Sequence, residues 1–322
     1  MKLLSIGFMT ALMTLGAGAA IGETVYVSSE KDNTISIIDG DTLQVVKTVP
    51  VGQRPRGILL STDQKFLYIC ASDNDRVEVL DLETYKVVRH LPSGSDPEDF
   101  ALHPDGVHLY IANEDDNLVT IVDTKTARII TEIPVGVEPE GMGISPDGKI
   151  LVNTSETTNM AHFIDTATHE IVANILVDSR PRRAVWTADG AQVWVSAEIG
   201  GTVSVIDANK RQEIHKIGFE IPGVSTEAIQ PVGVAITRDR KTAFVALGPA
   251  NRVAVVDAQT YKVQRYLLVG QRVWGVALSP NEKRVYTTNG VSNDVSVIDV
   301  AAQRVVKSVP VGRLPWGVVV RE

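Results

Sequence analysis

A short apolar run ending in aspartate returns seven times along this chain, as in Ser36-Ile37-Ile38-Asp39, Thr120-Ile121-Val122-Asp123 and Ser296-Val297-Ile298-Asp299. The repeat aspartates are Asp39, Asp81, Asp123, Asp165, Asp207, Asp257 and Asp299, spaced 42, 42, 42, 42, 50 and 42 residues apart. A period of that length means one supersecondary unit stacked on copies of itself, each burying a face that a single copy cannot.

Within each period the pattern resolves into four short β-like runs. The first follows an x-Pro-x-Gly entry such as Arg54-Pro55-Arg56-Gly57. Turns such as His103-Pro104-Asp105-Gly106 and Ser145-Pro146-Asp147-Gly148 come next; Pro presets φ and Gly accepts a positive one. The second run carries Tyr26, Tyr68, Tyr110, Val152, Trp194, Phe244 or Tyr286 in its interior. A polar turn then places Asn33, Asp75, Asn117, Asn159, Gly201, Asn251 or Asn293 six residues before the repeat aspartate. These residue types tolerate the left-handed backbone of a tight hairpin.

Seven units of four antiparallel strands predict an all-β, seven-bladed β-propeller over residues 21–322. The segment after the leader begins at a second strand (Thr24-Val25-Tyr26-Val27), and the sequence stops after a first strand (Pro315–Arg321). Together these ends complete one blade and close the ring, leaving no exposed sheet edge. The long interval holds an insertion at residues 218–230. It lies on the face that carries the x-Pro-x-Gly entries, either as a neutral loop extension or as a lid.

Residues 1–20 hold one cation, Lys2, an apolar run from Leu3 to Leu15, and small residues to Ala20. That is the pattern of a cleaved secretory signal peptide and predicts a periplasmic protein with no membrane anchor after cleavage. The whole chain has 31 cations and 39 anions, a net charge of −8, which argues against nucleic-acid binding. Cys70 is the one cysteine and sits in an apolar strand pattern, as a small buried hydrophobe does.

Tyr110-Ile111-Ala112-Asn113 and Val285-Tyr286-Thr287-Thr288-Asn289, with the Ser-Val-Ile-Asp and Pro-Val-Gly-x-x-Pro-x-Gly elements, resemble the YVTN family of β-propeller repeats. In length, repeat number and leader the chain is similar to the subfamily of PQQ-dependent catabolism-associated β-propeller proteins. That resemblance implies a periplasmic accessory protein working beside pyrroloquinoline-quinone (PQQ) alcohol dehydrogenases and an ABC transport system. A quinoprotein dehydrogenase or associated periplasmic components would then be its partners. There is no Cys-x-x-Cys-His for covalent haem, and no Gly-x-Ser-x-Gly, His-Glu-x-x-His or phosphate-binding glycine loop.

The positions flanking the entry proline differ from blade to blade and form two rings around the axis. Before the proline, which is Val273 in the sixth copy, stand Arg54, Asp96, Glu138, Arg180, Gln230, Arg272 and Leu314; after it stand Arg56, Glu98, Glu140, Arg182, Val232, Trp274 and Trp316. Asp99 and Arg183 replace the usual glycine. One expectation is ion pairing between neighbouring blades, Arg56 with Glu98 and Glu140 with Arg182, worth about 0–1 kcal/mol each where solvated. A second makes Asp96, Glu98, Asp99, Glu138 and Glu140 a site for a hard cation, Ca²⁺ or a trivalent lanthanide. A third sets Arg54, Arg56, Arg180, Arg182, Arg183 and Arg272 on the carboxylates of an anion such as PQQ, with Trp274 and Trp316 stacking on its ring.

No catalytic residue is assigned. The leading function is a non-enzymatic binding or scaffold protein using this mouth; the alternative is an oxidoreductase or lactonase-like enzyme acting on an anionic substrate there. His103 and His162 read as turn or packing residues without a second histidine at ligand spacing, and Trp186 and Trp194 read as core.

Overall fold

The computed structural model describes residues 22–322; the leader expected over residues 1–20 lies outside the described residues. Seven four-stranded antiparallel sheets stand around one axis. Blade 1 joins Pro315–Arg321 to Thr24–Ser29, Thr34–Asp39 and Gln44–Pro50. The innermost strands of blades 2 to 7 are Pro55–Leu60, Pro97–Leu102, Pro139–Ile144, Pro181–Trp186, Val234–Ile236 and Val273–Leu278. The closing strand pairs Val320 with Val25, Val319 with Tyr26 and Val318 with Val27, as the two chain ends predict. Two short 3₁₀ turns, Ser72–Asn74 and Thr226–Ala228, are the helical elements among the described residues.

The core lies between blades. Tyr26, Ile35 and Ile37 of blade 1 pack on Ile58, Leu67, Ile69 and Leu80 of blade 2. Val25, Val27 and Ile38 turn the other way, onto Tyr286, Val295 and Val297 of blade 7. Alternating side chains thus leave each sheet by opposite faces, so one strand feeds two interblade cores. Trp194, Tyr26, Tyr110, Tyr286 and Phe244 are fully buried, as expected of their strand positions.

The polar turns do more than reverse the chain. Asn33, Asp75, Asn117, Asn159, Asn251 and Asn293 are all left-handed, with φ between 50° and 58°. Each side-chain oxygen accepts the backbone N–H of the residue before the next entry proline, or before Val273 in blade 7, at 2.7 to 3.1 Å. The receivers are Arg54, Asp96, Glu138, Arg180, Arg272 and Leu314. Six of the seven entries are therefore pegged to the preceding blade at the same height.

The seventh junction differs. Gly201 stands where the others have Asn or Asp, and it has no side chain to act as a peg. Here the insertion enters, and the inner strand of blade 6 starts at Val234 rather than at Pro231. The insertion wedges Phe219 and Ile229 into the core of blades 5 and 6, with Ile221 and Val224 against it. Its backbone at Glu220 donates to the Tyr266 hydroxyl of blade 6.

A further departure concerns the entry glycine. A Cβ on Gly57 would come within 2.7 Å of the Glu98 carbonyl oxygen of the next blade. Blades 3 and 5 carry Asp99 and Arg183 at this position, and their sheets bulge between Pro97/Asp99 and Pro181/Arg183. In blades 2, 4 and 7 the irregularity extends one residue further, to Ile58, Met142 and Val276. The altered register accommodates the two larger side chains.

Candidate functional site

The structure brings the two expected rings together with a third. Glu30, Glu114, Glu156 and Glu198 each follow the second strand of their blade, 42 residues or a multiple of it apart. Sequence reasoning passed over them, although the repeat period was itself the signal.

The charged rings form two sets of ion pairs around the mouth, one centred on Arg54 and Arg56 and one on Arg180 and Arg182. Arg56 bridges Glu98 through Nε and Glu30 through Nη1 at 3.2 Å. Arg54 reaches Asp96, Glu98 at 3.1 Å and Asp73 at 3.0 Å. Arg182 holds Glu140 at 2.8 Å and Glu156, and Arg180 holds Glu156 at 2.8 Å and Glu198 at 3.2 Å. Both expected interblade pairs are present, but not as solvated ones. Glu98, Glu140 and Arg182 are 0, 1 and 3% exposed, so the surface-bridge value does not apply to them. Losing one partner of such a pair costs about 3–5 kcal/mol, because a buried charge is left uncompensated.

Carboxylates outnumber guanidiniums here. The three rings supply eight acids (Glu30, Asp96, Glu98, Glu114, Glu138, Glu140, Glu156, Glu198) against five arginines (Arg54, Arg56, Arg180, Arg182, Arg272). Ligand oxygens of Asp96, Glu98 and Glu114 lie within 4.8 Å of one another, as do those of Glu114, Glu138 and Glu156. Glu114 joins the two groups. Glu140 beside them has a buried Oε2 with no hydrogen-bond partner among the described residues.

The surplus shows in the protonation states. Burial pushes the Glu156 carboxyl up to about 8 against the pull of Arg182, with the Glu140 charge adding to the rise. Burial likewise raises Glu30, Glu98 and Glu114, and repulsion from Glu140 acts in the same direction on each. For Glu140 itself burial also pushes upward, but Arg182, Arg56 and Arg183 outweigh it and hold the carboxyl below its ordinary value. Glu98, Glu114 and Glu156 are thus raised where the arginines run out.

Basic residues of blades 2, 5 and 7 meet at one side of the mouth. Arg56, Arg180, Arg182, Arg272 and Trp274, with Glu198, Ile199 and Gln230, line a cup of about 380 Å³. Arg272 and Arg182 lie over the Trp274 ring at 4.5 and 5.7 Å. Trp316 is buried beneath Arg56 and Arg183, at 5.0 and 4.5 Å, so arginines occupy the stacking role expected for a ligand ring. Deeper along the axis Arg183 pairs with Asp99, two blades away. That pair separates Asp99 from the acidic arc into which the sequence had grouped it. Both residues line a cavity of about 140 Å³ between the innermost strands.

Other sequence expectations have plain places. Cys70 is free and fully buried, its thiol pushed well up by burial. His162 is buried; its Nε2 accepts the Gly136 N–H at 3.0 Å and its Nδ1 faces Asn174 at 2.6 Å, which is packing. Trp194 is core, while Trp186 is part-buried and donates to the Gly143 carbonyl at 3.2 Å. His103 departs from expectation: His108, five residues on, faces the same carboxylate, Asp105.

These features define a class: a closed, seven-bladed, four-stranded β-propeller with a charged axial mouth. A model of the choice-of-anchor I domain matches residues 117–284, just over half of the chain, and the chain belongs to that family. A YNCE-like β-propeller model matches residues 10–104. No curated protein matches the sequence.

Solved structures share the fold. Kuenenia stuttgartiensis hydrazine synthase superposes with a TM-score of 0.80 at 24% identity, covering 86% of this chain and 92% of that one. A functionally unknown protein from Desulfotomaculum acetoxidans gives 0.78 at 17% identity, with coverages of 92% and 98%. A dihydro-heme d1 dehydrogenase gives 0.70 at 17%, with coverages of 92% and 74%. At these identities the likeness is one of fold.

Proposed function

We propose that this chain is an exported, non-enzymatic binding protein that holds a hard cation of the Ca²⁺ or lanthanide class in the acidic arc of its mouth, as an accessory to periplasmic PQQ-dependent alcohol oxidation. The observation that carries the cation is the carboxylate surplus: two part-buried oxygen clusters sharing Glu114, beside the unpartnered, buried Oε2 of Glu140. Hard cations are bound by several oxygens at once, with carboxylates predominating. The export and the alcohol-oxidation setting are carried by the leader and the repeat resemblance.

The basic cup supports a second reading, an anionic ligand such as PQQ held by Arg272 and Arg180. Its observation is the volume of about 380 Å³ beside the part-exposed Trp274.

Thermal melts of the purified, metal-free protein with Ca²⁺, La³⁺ or PQQ decide between them. The cation reading expects a rise with Ca²⁺ or La³⁺, about 2.7 kcal/mol of stabilisation at a hundredfold excess over Kd. Glu114→Gln and Glu138→Gln, which lie outside the buried ion pairs, should lose that rise. No response to either cation, or a response both variants keep, overturns it. A rise with PQQ that disappears in Arg272→Ala selects the second reading.

A further inference from the structure

We propose that His103, Asp105 and His108 form a second metal site, on the face opposite the mouth, for a borderline divalent transition ion of the Zn²⁺, Ni²⁺ or Cu²⁺ class. The three ligand atoms lie within 4.8 Å of one another. Asp105 Oδ2 is 3.0 Å from His103 Nδ1 and 2.6 Å from His108 Nδ1. The two rings stand edge to face, 84° apart with centroids at 5.9 Å. His103 and His108 are part-exposed and Asp105 is exposed on one turn, so an ion reaches them directly from solvent.

Comparison with the other blades shows that this constellation is not part of the frame. At the position of His103 the others carry Ser61, Ser145, Thr187, Thr237 and Ser279. Each of those hydroxyls accepts the N–H of the residue five positions on, at 3.0 to 3.1 Å, and donates to the Asp or Asn two positions on. Blade 3 closes the same turn differently. Asp105 Oδ1 takes the His108 N–H at 3.1 Å, and His103 Nδ1 accepts the Asp105 N–H at 3.1 Å. Imidazole replaces the hydroxyl at one position. At the other, where the remaining blades have Phe66, Ile150, Gln192, Thr242 or Arg284, a second imidazole appears. The turn could be closed by serine, so its chemistry does not require either histidine.

Two imidazoles and one carboxylate suit Zn²⁺, Ni²⁺ and Cu²⁺ and leave coordination positions for water. Ca²⁺ prefers six to eight oxygens, which this turn does not offer. Asp105 is held near a pKa of about 2: burial opposes this, but the Val107 and His108 amides and the His108 ring outweigh it. The carboxylate is thus ionised over the whole neutral range. His108 Nδ1 faces Asp105 Oδ2 at 2.6 Å in the metal-free turn; when an ion takes that place, the proton of the neutral ring is carried on Nε2. His169 of blade 4 is close enough for the His108 charge to act on it, and its Nδ1 is buried without a hydrogen-bond partner.

The test uses the full untagged chain, stripped of metal, titrated with Zn²⁺ in the presence of excess Ca²⁺ and followed by calorimetry. One Zn²⁺ per chain is expected. His103→Ser and His108→Gln should each weaken it by at least the roughly 10–100-fold that even outer-shell changes cost. His103→Ser installs the residue used by three other blades, so its metal-free melt should match that of the unaltered protein. Glu114→Gln, in the mouth, should bind Zn²⁺ as before. Absence of stoichiometric Zn²⁺, or binding that survives both histidine changes, overturns the proposal. Binding lost in Glu114→Gln instead would place the ion in the mouth and also overturn it.

Discussion

At the scale of single residues, Glu156 shows how the mouth is balanced. It lies against Arg182 and Arg180, yet its carboxyl is pushed up to about 8 by burial. A carboxyl raised in this way is protonated in the folded state while its unfolded counterpart is ionised. The folded state then holds the extra proton, and stability falls as pH rises towards the folded pKa. His162, lowered by burial, acts in the opposite sense below its ordinary value near 6.5, so the clean window is pH 6.5 to 8. In that window the metal-free protein should lose stability, by at most about 1.4 kcal/mol per pH unit from this one carboxyl. Glu156→Gln should flatten the slope of a denaturant-midpoint series. An unchanged slope would mean that Glu156 is ionised when folded.

At the scale of elements, the closing strand joins the two ends of the chain into one blade. Pro315–Arg321 pairs with Thr24–Ser29, and Val318 and Val320 pack against the core shared by blades 7 and 1. Deleting residues 315–322 exposes the edge of Thr24–Ser29 and opens the ring. The melting temperature should drop sharply; an unchanged melt would show that closure contributes little. This strand was legible because it is local pattern repeated: the aspartates, turn residues and apolar runs each encode a few neighbouring positions. The Asn pegs were legible only in part. Their type announced a left-handed turn, but the bond from Asn117 to the Glu138 amide spans 21 residues and belongs to the interblade junction. Asp99 with Arg183 was less legible still, because the pair reaches across the axis between residues 84 apart. Glu114 and Glu156 lay one residue beyond a strand whose interior drew attention first. His108 sits at a strand start, where side-chain type is free to vary and nothing local marks it.

At the scale of the whole molecule, the mouth has an acidic arc on blades 3 and 4 and a basic cup lined by Arg56, Arg180, Arg182 and Arg272, and Arg182 joins the two through Glu140 and Glu156. A closed ring makes such an arrangement rigid, since each blade is fixed by cores on both sides. The buried acids have few ways to relieve their mutual repulsion: recruit an arginine, keep a proton, or bind a cation. The five mouth arginines are already engaged, which leaves the last two in competition. If a cation is the occupant, proton and cation exclude each other, and their linkage fixes the direction of the pH effect. At pH 6 Ca²⁺ must displace the proton of Glu156, whose carboxyl is pushed up to about 8; at pH 8 less of it remains to be displaced. A fixed Ca²⁺ concentration should therefore raise the melting temperature more at pH 8 than at pH 6, offsetting the stability that the metal-free protein loses over that interval. Buffered calorimetric titrations should show proton release on binding at pH 6 that shrinks by pH 8. Equal shifts at both values, with no protons released, would show that Ca²⁺ does not enter the carboxylate arc.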